Sequence, residues 1–337
     1  MTNNTLKEYE LVNALGTTLG ICNYGAAITK ICLTDKNGQQ KDVVLGFKDL
    51  DDYKKNDCFL GVTVGRYANR IANAAFELEG ITYNLDPNNS NNSLHGGKKG
   101  FHHQFWNLES IEKNKLQLSY FSPDLEEGFP GNLQVSVQFE LTDLNEIIIN
   151  YTARTDKTTV INLTNHAYFN LNGESSGTCT NHLLQINADF ITPINNSGIP
   201  NGQLMEVGNN PFDFRQAKTI IKDIDAFNQQ LLFGSGYDHN FVLNNYDASL
   251  QLAATAIGDL SGIKLEVFTT EPGLQLYSGN FLADDTLGKS GKPNTYRTGF
   301  CLESQHFPDS PNRPNFPTTV IQRGKVFKST TVYKFNV

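Results

Sequence analysis

The chain has 337 residues, of which 39% are hydrophobic and 18% charged, with a net charge of −8 and a pI near 5.4. The charged share is below the usual value of about 25%, and an acidic balance with no lysine-arginine block opposes binding to nucleic acid or to an anionic membrane. Small neutral partners are favoured. No positive segment followed by an apolar run opens the sequence, no stretch is long enough to span a bilayer, and Cys22, Cys32, Cys58, Cys179 and Cys301 are an odd, scattered set; a cytoplasmic protein with reduced cysteines is expected.

Strand signals dominate in chain order. Residues 28–33 and 41–47 flank Asp35-Lys36-Asn37-Gly38, whose Asn-Gly pair suits a tight hairpin turn. Residues 75–78 and 81–85 form a second hairpin through Glu79-Gly80, and residues 88–93 are an Asn/Ser-rich loop. Residues 115–121 predict a further strand. Leu133, Val135, Val137, Phe139 and Leu141 alternate with polar residues, the pattern of a half-buried antiparallel strand, and residues 146–154 continue as its hairpin neighbour. Residues 222–232 predict one short helix, while 262–270 and 325–337 add strands. The expected class is all-β, a large antiparallel sandwich in a single domain over residues 1–337, with one sheet bent so that its polar face forms a groove.

Residues 160–171 read as a strand with two different faces. One carries Asn162, Thr164, His166, Tyr168 and Asn170; the other is apolar apart from Asn165. Hydroxyls, amides, a phenol and one imidazole without fixed charge match the hydrogen-bonding needs of a neutral polyhydroxylated ligand. Glu303 ends the apolar run Gly299-Phe300-Cys301-Leu302 and is therefore expected to be at least partly buried, which requires a charge partner or a raised pKa and makes it a candidate general base. Asp238 and Arg70 are similar polar residues beside hydrophobic strand sequence.

Other motifs carry less. Gly173-Glu174-Ser175-Ser176-Gly177 has the spacing of a hydrolase nucleophile elbow, but no helix follows it. His95, His102 and His103 invite a metal reading, yet no nearby carboxylate or cysteine completes a ligand set. Neither a dinucleotide fingerprint nor a P-loop occurs.

Taken together, residues 65–71, Asn92-Ser93-Leu94-His95-Gly96-Gly97, Glu127-Gly128-Phe129-Pro130-Gly131, residues 162–171, Phe212-Asp213-Phe214-Arg215, residues 236–241, 271–282 and 299–305 resemble, in order, the motifs of the aldose 1-epimerase family. The resemblance spans nearly the whole chain. It implies a galactose mutarotase-like β-sandwich with an open sugar cleft, no metal or organic cofactor, and a free hexose such as galactose or glucose as the small-molecule partner of a monomer or weak homodimer. By motif it makes His166 the general acid at the ring oxygen and Glu303 the general base at the anomeric hydroxyl. Asn69, Arg70, His95, Asp238 and Gln275 match positions that line the cleft, hold sugar hydroxyls or orient the pair. Two departures, Leu125 in place of a small residue and Phe101-His102-His103-Gln104 in place of a more charged tetrad, bear on loop shape or substrate preference.

Ring opening removes a proton from the anomeric oxygen while the ring oxygen gains one, and closure on the other face reverses both transfers. A carboxylate and an imidazole straddling the anomeric centre supply both halves, each worth roughly 10²–10⁴-fold. In these roles His166 starts protonated and Glu303 ionised, with Asp238 favouring the imidazolium, so that activity rises as Glu303 ionises and falls as His166 loses its proton. The competing readings are a hexose-6-phosphate 1-epimerase, which needs clustered arginines, a non-catalytic sugar-binding protein of the same fold, and a glycosidase pairing Asp238 with Glu303.

Overall fold

The structure, a computed structural model, describes residues 5–283 and 287–337; residues 1–4, the first part of the segment read above for a leader, lie outside it. Every strand pairing within its two large sheets is antiparallel. The nine-stranded sheet runs Asn107–Ile111, Lys115–Ser122, Leu133–Leu141, Glu146–Thr155, Val326–Asn336, Lys264–Thr269, Gln251–Ile257, Leu183–Ile186 and Lys218–Thr219. The six-stranded sheet runs Tyr168–Phe169, Phe300–Gln305, Gly273–Tyr277, Asp238–Leu243, Ala188–Ile191 and Met205–Glu206. A four-stranded sheet is built from Glu8–Val12, Thr18–Cys22, Ala27–Thr34 and Gln40–Asp42.

Period-two patterning decides how the large sheets meet. Leu133, Val135, Val137, Phe139 and Leu141 are buried while the residues between them are half-buried or exposed, and Ile147, Ile149 and Tyr151 continue the same layer on the neighbouring strand. They share one core with Leu274, Leu276, Phe300 and Leu302 of the six-stranded sheet. The opposite face of that second sheet is also buried, but by polar groups. In register across it stand Asp238, Tyr277, Cys301 and Tyr168 in one row and Asn240, Gln275 and Glu303 in the next. This polar face is the floor of the site.

Several expectations need revision. The hairpin after residue 34 forms, with the Asp35 carboxylate accepting from the N–H groups of Asn37 (2.8 Å) and Gln39 (2.9 Å) and Gly38 at φ 77°. Its second arm ends at Asp42, however, because the chain then leaves to pair Leu45 N–H with Tyr168 O (2.9 Å). The helix is only Gln229–Gly234, preceded by a 3₁₀ turn at Ile220–Lys222; Asn228 caps it by accepting from Gln230 N–H, so the helix cannot begin earlier.

The largest correction concerns residues 160–171, which are no continuous strand. They form three two-residue pieces, Thr159–Val160, Thr164–Asn165 and Tyr168–Phe169, each paired with a different partner. The amides bridge the irregular backbone between the pieces. Asn162 donates to Ala68 O and His306 O and accepts from His306 N–H; Asn165 donates to Gly61 O; Asn170 donates to Gly177 O and Thr298 O. Buried backbone needs partners, and these side chains supply them. Asn162 and Asn170 are thus structural, Thr164 is buried away from the cleft, and only His166 and Tyr168 of the expected polar face reach it. The Gly-x-Ser-x-Gly segment is a turn with Ser175 exposed and no helix after it.

Candidate active site

A cleft of about 350 Å³ opens over the polar face of the six-stranded sheet, lined among others by Asn69, Arg70, His95, His166, Asp238 and Glu303. Six of the seven residues singled out in the sequence therefore meet in one place, from segments far apart in the chain. The seventh, Gln275, stands behind them. Its Nε2 donates to Asp238 Oδ1 at 2.6 Å, and its own Oε1 is 3.5 Å from Gln305 Nε2. Gln275 orients a cleft carboxylate and does not line the cleft itself.

The wall opposite the sheet is made by close backbone approaches. Arg70–Ile71 pairs with Ser93–Leu94, and Asn69 and His95, both with positive φ (63° and 51°), exchange hydrogen bonds: His95 N–H donates to Asn69 O at 3.1 Å and Asn69 N–H to His95 Nδ1 at 3.2 Å. Beneath them Gly96, at φ 84°, passes so near Gly65 that a Cβ would sit 2.0 Å from its carbonyl oxygen. Arg70 donates to Asn89 Oδ1 at 3.1 Å and lies 3.7 Å from Asp238 Oδ2. The carboxylate of Glu127 accepts from Lys98 and Lys99 N–H, tying the neighbouring loop to this wall. In that loop Leu125 takes φ 65° with its side chain 59% exposed, the conformation in which a small residue is easier to place.

His166 Nε2 is 3.6 Å from Glu303 Oε2. Both side chains are almost fully buried, and burial is the largest influence on each. It pushes His166 down to about 4 and Glu303 well above the ordinary carboxylate range, Asp238 adding to the rise and Arg70 opposing it. The distance is that of an ion pair, yet desolvation favours the uncharged form in which the proton rests on Glu303. This reverses the protonation expected from the sequence. His95, its ring 5.2 Å from that of His166 and nearly perpendicular to it, is likewise held well below its usual value, first by burial and then by His166 and Arg70.

Single ligand atoms of His95, His166 and Glu303 lie within 4.8 Å of one another, the size of a metal site. The donor chemistry is wrong for one. Because His95 Nδ1 accepts from a backbone N–H, the neutral ring carries its proton on Nε2 and presents a donor there, not a lone pair. Such a fixed donor suits an oxygen ligand. His102 and His103 sit in a 3₁₀ turn, not on a strand, with His102 buried behind Phe59.

Apart from Tyr168, nothing in the sequence singled out the aromatic residues of the cleft. Phe59 packs against His95 (4.6 Å) and His166 (5.8 Å). Tyr277 stacks with Phe281 at the rim, and Asn89 braces Arg70. Only the Asn/Ser-rich composition of residues 88–93 hinted at the last.

The aldose 1-epimerase family profile matches residues 7–334. The chain belongs to the aldose 1-epimerase family. It is 41% identical to galactose mutarotase of Bos taurus over 317 residues (94% of this chain, 90% of that protein). Identity to galactose mutarotase of Homo sapiens is 39% (99% and 95%), and to aldose 1-epimerase of Escherichia coli K12 38% (96% and 94%). Among solved structures, an aldose epimerase homologue from C. elegans superimposes with a TM-score of 0.90 at 30% identity (98% and 99% covered). Galactose 1-epimerase from Lactobacillus acidophilus does so with 0.87 at 29% (100% and 96%). The fold is that of the aldose 1-epimerases, and the protein is an isomerase of this family.

Proposed function

We propose that this aldose 1-epimerase interconverts the α and β anomers of free hexoses such as galactose and glucose, with His166 protonating the ring oxygen and Glu303 taking the proton of the anomeric hydroxyl. The observation that carries the assignment is the 3.6 Å approach of a buried imidazole and a buried carboxyl in a sugar-sized cleft. Between them the two groups hold one proton that can be passed to one sugar oxygen while another is collected from its neighbour. No nucleophile is required. Asn69, Arg70, His95 and Asp238 hold the hydroxyls, Asp238 with its acceptor oxygens already aligned by Gln275 and Arg70. That alignment also favours a binding role for Asp238 over a glycosidase acid.

A phosphorylated hexose is a poorer fit. Among the described residues Arg70 is the cleft arginine, and it is engaged with Asp238 and Asn89, so a dianionic phosphate would lose its water with little return. Polarimetry on freshly dissolved α-galactose, α-glucose and galactose 6-phosphate tests the reading. The expected result is acceleration for the free sugars at least equal to that for the phosphate. A much higher kcat/KM for the phosphate would select the 6-phosphate epimerase, and binding without acceleration would select the non-catalytic sugar-binding protein.

A further inference from the structure

Strand Phe300–Gln305 grips the His166 ring at both nitrogens. Cys301 and Glu303 are two residues apart and so share a face of the strand. Glu303 Oε2 stands 3.6 Å from Nε2, and Cys301 Sγ stands 3.5 Å from Nδ1. Cys301 is fully buried, in register with Tyr168 on one side and Tyr277 on the other. We propose that Cys301 is a positioning residue whose sulfur accepts from His166 Nδ1–H, holding the tautomer whose Nε2 lone pair is aimed at Glu303 and the cleft.

The argument rests on the proposed role of His166 as proton donor. A neutral imidazole has one N–H and one lone pair, and whichever group faces Nδ1 selects between them. A thiol donates weakly and accepts weakly. Its sulfur therefore accepts from Nδ1–H in the neutral ring and in the imidazolium alike, leaving Nε2 free to take the proton from Glu303 and to pass it on without moving a heavy atom. Burial pushes the Cys301 thiol well above its usual value, with Glu303 adding to the rise, so it remains a thiol throughout. A carboxylate here would hold the imidazolium too firmly for it to give up a proton. A methyl group would leave Nδ1 without this partner and release the other tautomer.

The test is ¹⁵N NMR of the histidine-labelled protein near neutral pH, the His166 signals identified by their loss in His166→Asn. The wild type is expected to show Nδ1 protonated and Nε2 unprotonated. Cys301→Ala should show mixed tautomers, kcat lower by roughly 10-fold or more, as for other groups that orient a functional imidazole, KM little changed, and a displaced pH–rate limb; Cys301→Ser should restore all of these. A wild-type neutral ring with its proton on Nε2, or Cys301→Ala with unchanged kcat and pH limbs, overturns the proposal, and the wild-type spectrum decides alone if Cys301→Ala does not fold. Near wild-type turnover by His166→Asn would instead remove the acid role from His166 and leave the tautomer result standing.

Discussion

The Nε2 of His166 and the Oε2 of Glu303 lie 3.6 Å apart with both side chains nearly sealed from solvent, so the two groups titrate as one unit. Burial favours the form with one proton and no charge, the proton sitting on the carboxyl. Moving that proton to the imidazole creates the ion pair that starts ring opening. Once the ring is open, Glu303 has collected the anomeric proton and His166 has surrendered its own, which is the uncharged form again. The setting that disfavours the starting ion pair thus favours the state that accompanies the open-chain sugar, a differential stabilisation along the reaction.

The pH profile should follow the pair. Its plateau is the one-proton form; the acid limb is uptake of a second proton and the alkaline limb loss of the only one, so neither limb belongs to one residue. Asp238→Asn removes a negative charge that, after burial, holds Glu303 up. Its alkaline limb should move to lower pH, with a smaller effect on the acid limb. Profiles of kcat/KM for the two proteins check this, and an alkaline limb that stays in place contradicts the coupling.

Gln275 should matter through binding. In Gln275→Leu the Asp238 carboxylate loses a donor at 2.6 Å, a loss of about 1–2 kcal/mol. KM for galactose should rise roughly 5- to 30-fold at that cost, with kcat changed little. Steady-state kinetics separate the two, and a fall in kcat at constant KM would move Gln275 into the chemical step.

The wall that presents His95 depends on Gly96. A Cβ there would meet the Gly65 carbonyl at 2.0 Å in a backbone region that side chains rarely adopt. Gly96→Ala should lower the urea midpoint and displace His95, reducing kcat/KM by at least 10-fold, a cost of about 1.4 kcal/mol or more. A variant with wild-type midpoint and kinetics would show that the wall can yield.

Acid should unfold this protein early. His182 is depressed to about 4, and His102 and His239 to about 3, all chiefly by burial; His166 adds little, because Glu303 keeps in the folded protein the proton that the imidazole refuses. Between the ordinary value of 6.5 and about 4, these histidines bind protons in the unfolded chain that they refuse in the folded one, so their contribution to stability rises with pH and is lost as pH falls through that window. Each such histidine contributes up to about 1.4 kcal/mol per pH unit. His102, whose Nδ1 has no hydrogen-bond partner, is the cleanest to remove. Urea unfolding at several pH values should show a shallower dependence in His102→Leu, and an identical slope would argue against a buried neutral His102.

How much of this was legible in the sequence depends on the element. Residues 133–141 and 146–154 alternate cleanly because one side of their sheet is core, and their register is the expected hairpin. Residues 160–171 alternate too, but there the pattern misleads: Asn162, Asn165 and Asn170 serve backbone groups of a broken chain, and a period of two cannot tell an amide that faces a ligand from one that faces a carbonyl. Glu303 could be read because a carboxylate ending an apolar run demands an explanation. Arg66 and Arg70 lie four residues apart in one motif, and nothing local distinguishes them. Only the fold sends Arg70 to the cleft and buries Arg66 to donate to the carbonyls of Pro130 and Gly131 (2.8 Å each). Phe59 and Cys301 reach His166 through tertiary packing alone, and no spacing in the sequence records that.

The central claim, that one buried carboxyl and one buried imidazole exchange the protons of ring opening, is met most directly by kcat measured polarimetrically for Glu303→Gln, His166→Asn and the double variant, alongside galactose binding. Each single change should lower kcat by roughly 10²–10⁴-fold in a folded protein that still binds the sugar. The double variant should lose far less than the product of the two, because either change alone already disables the shared transfer. Near wild-type kcat in either single variant, or losses that multiply, would contradict the account.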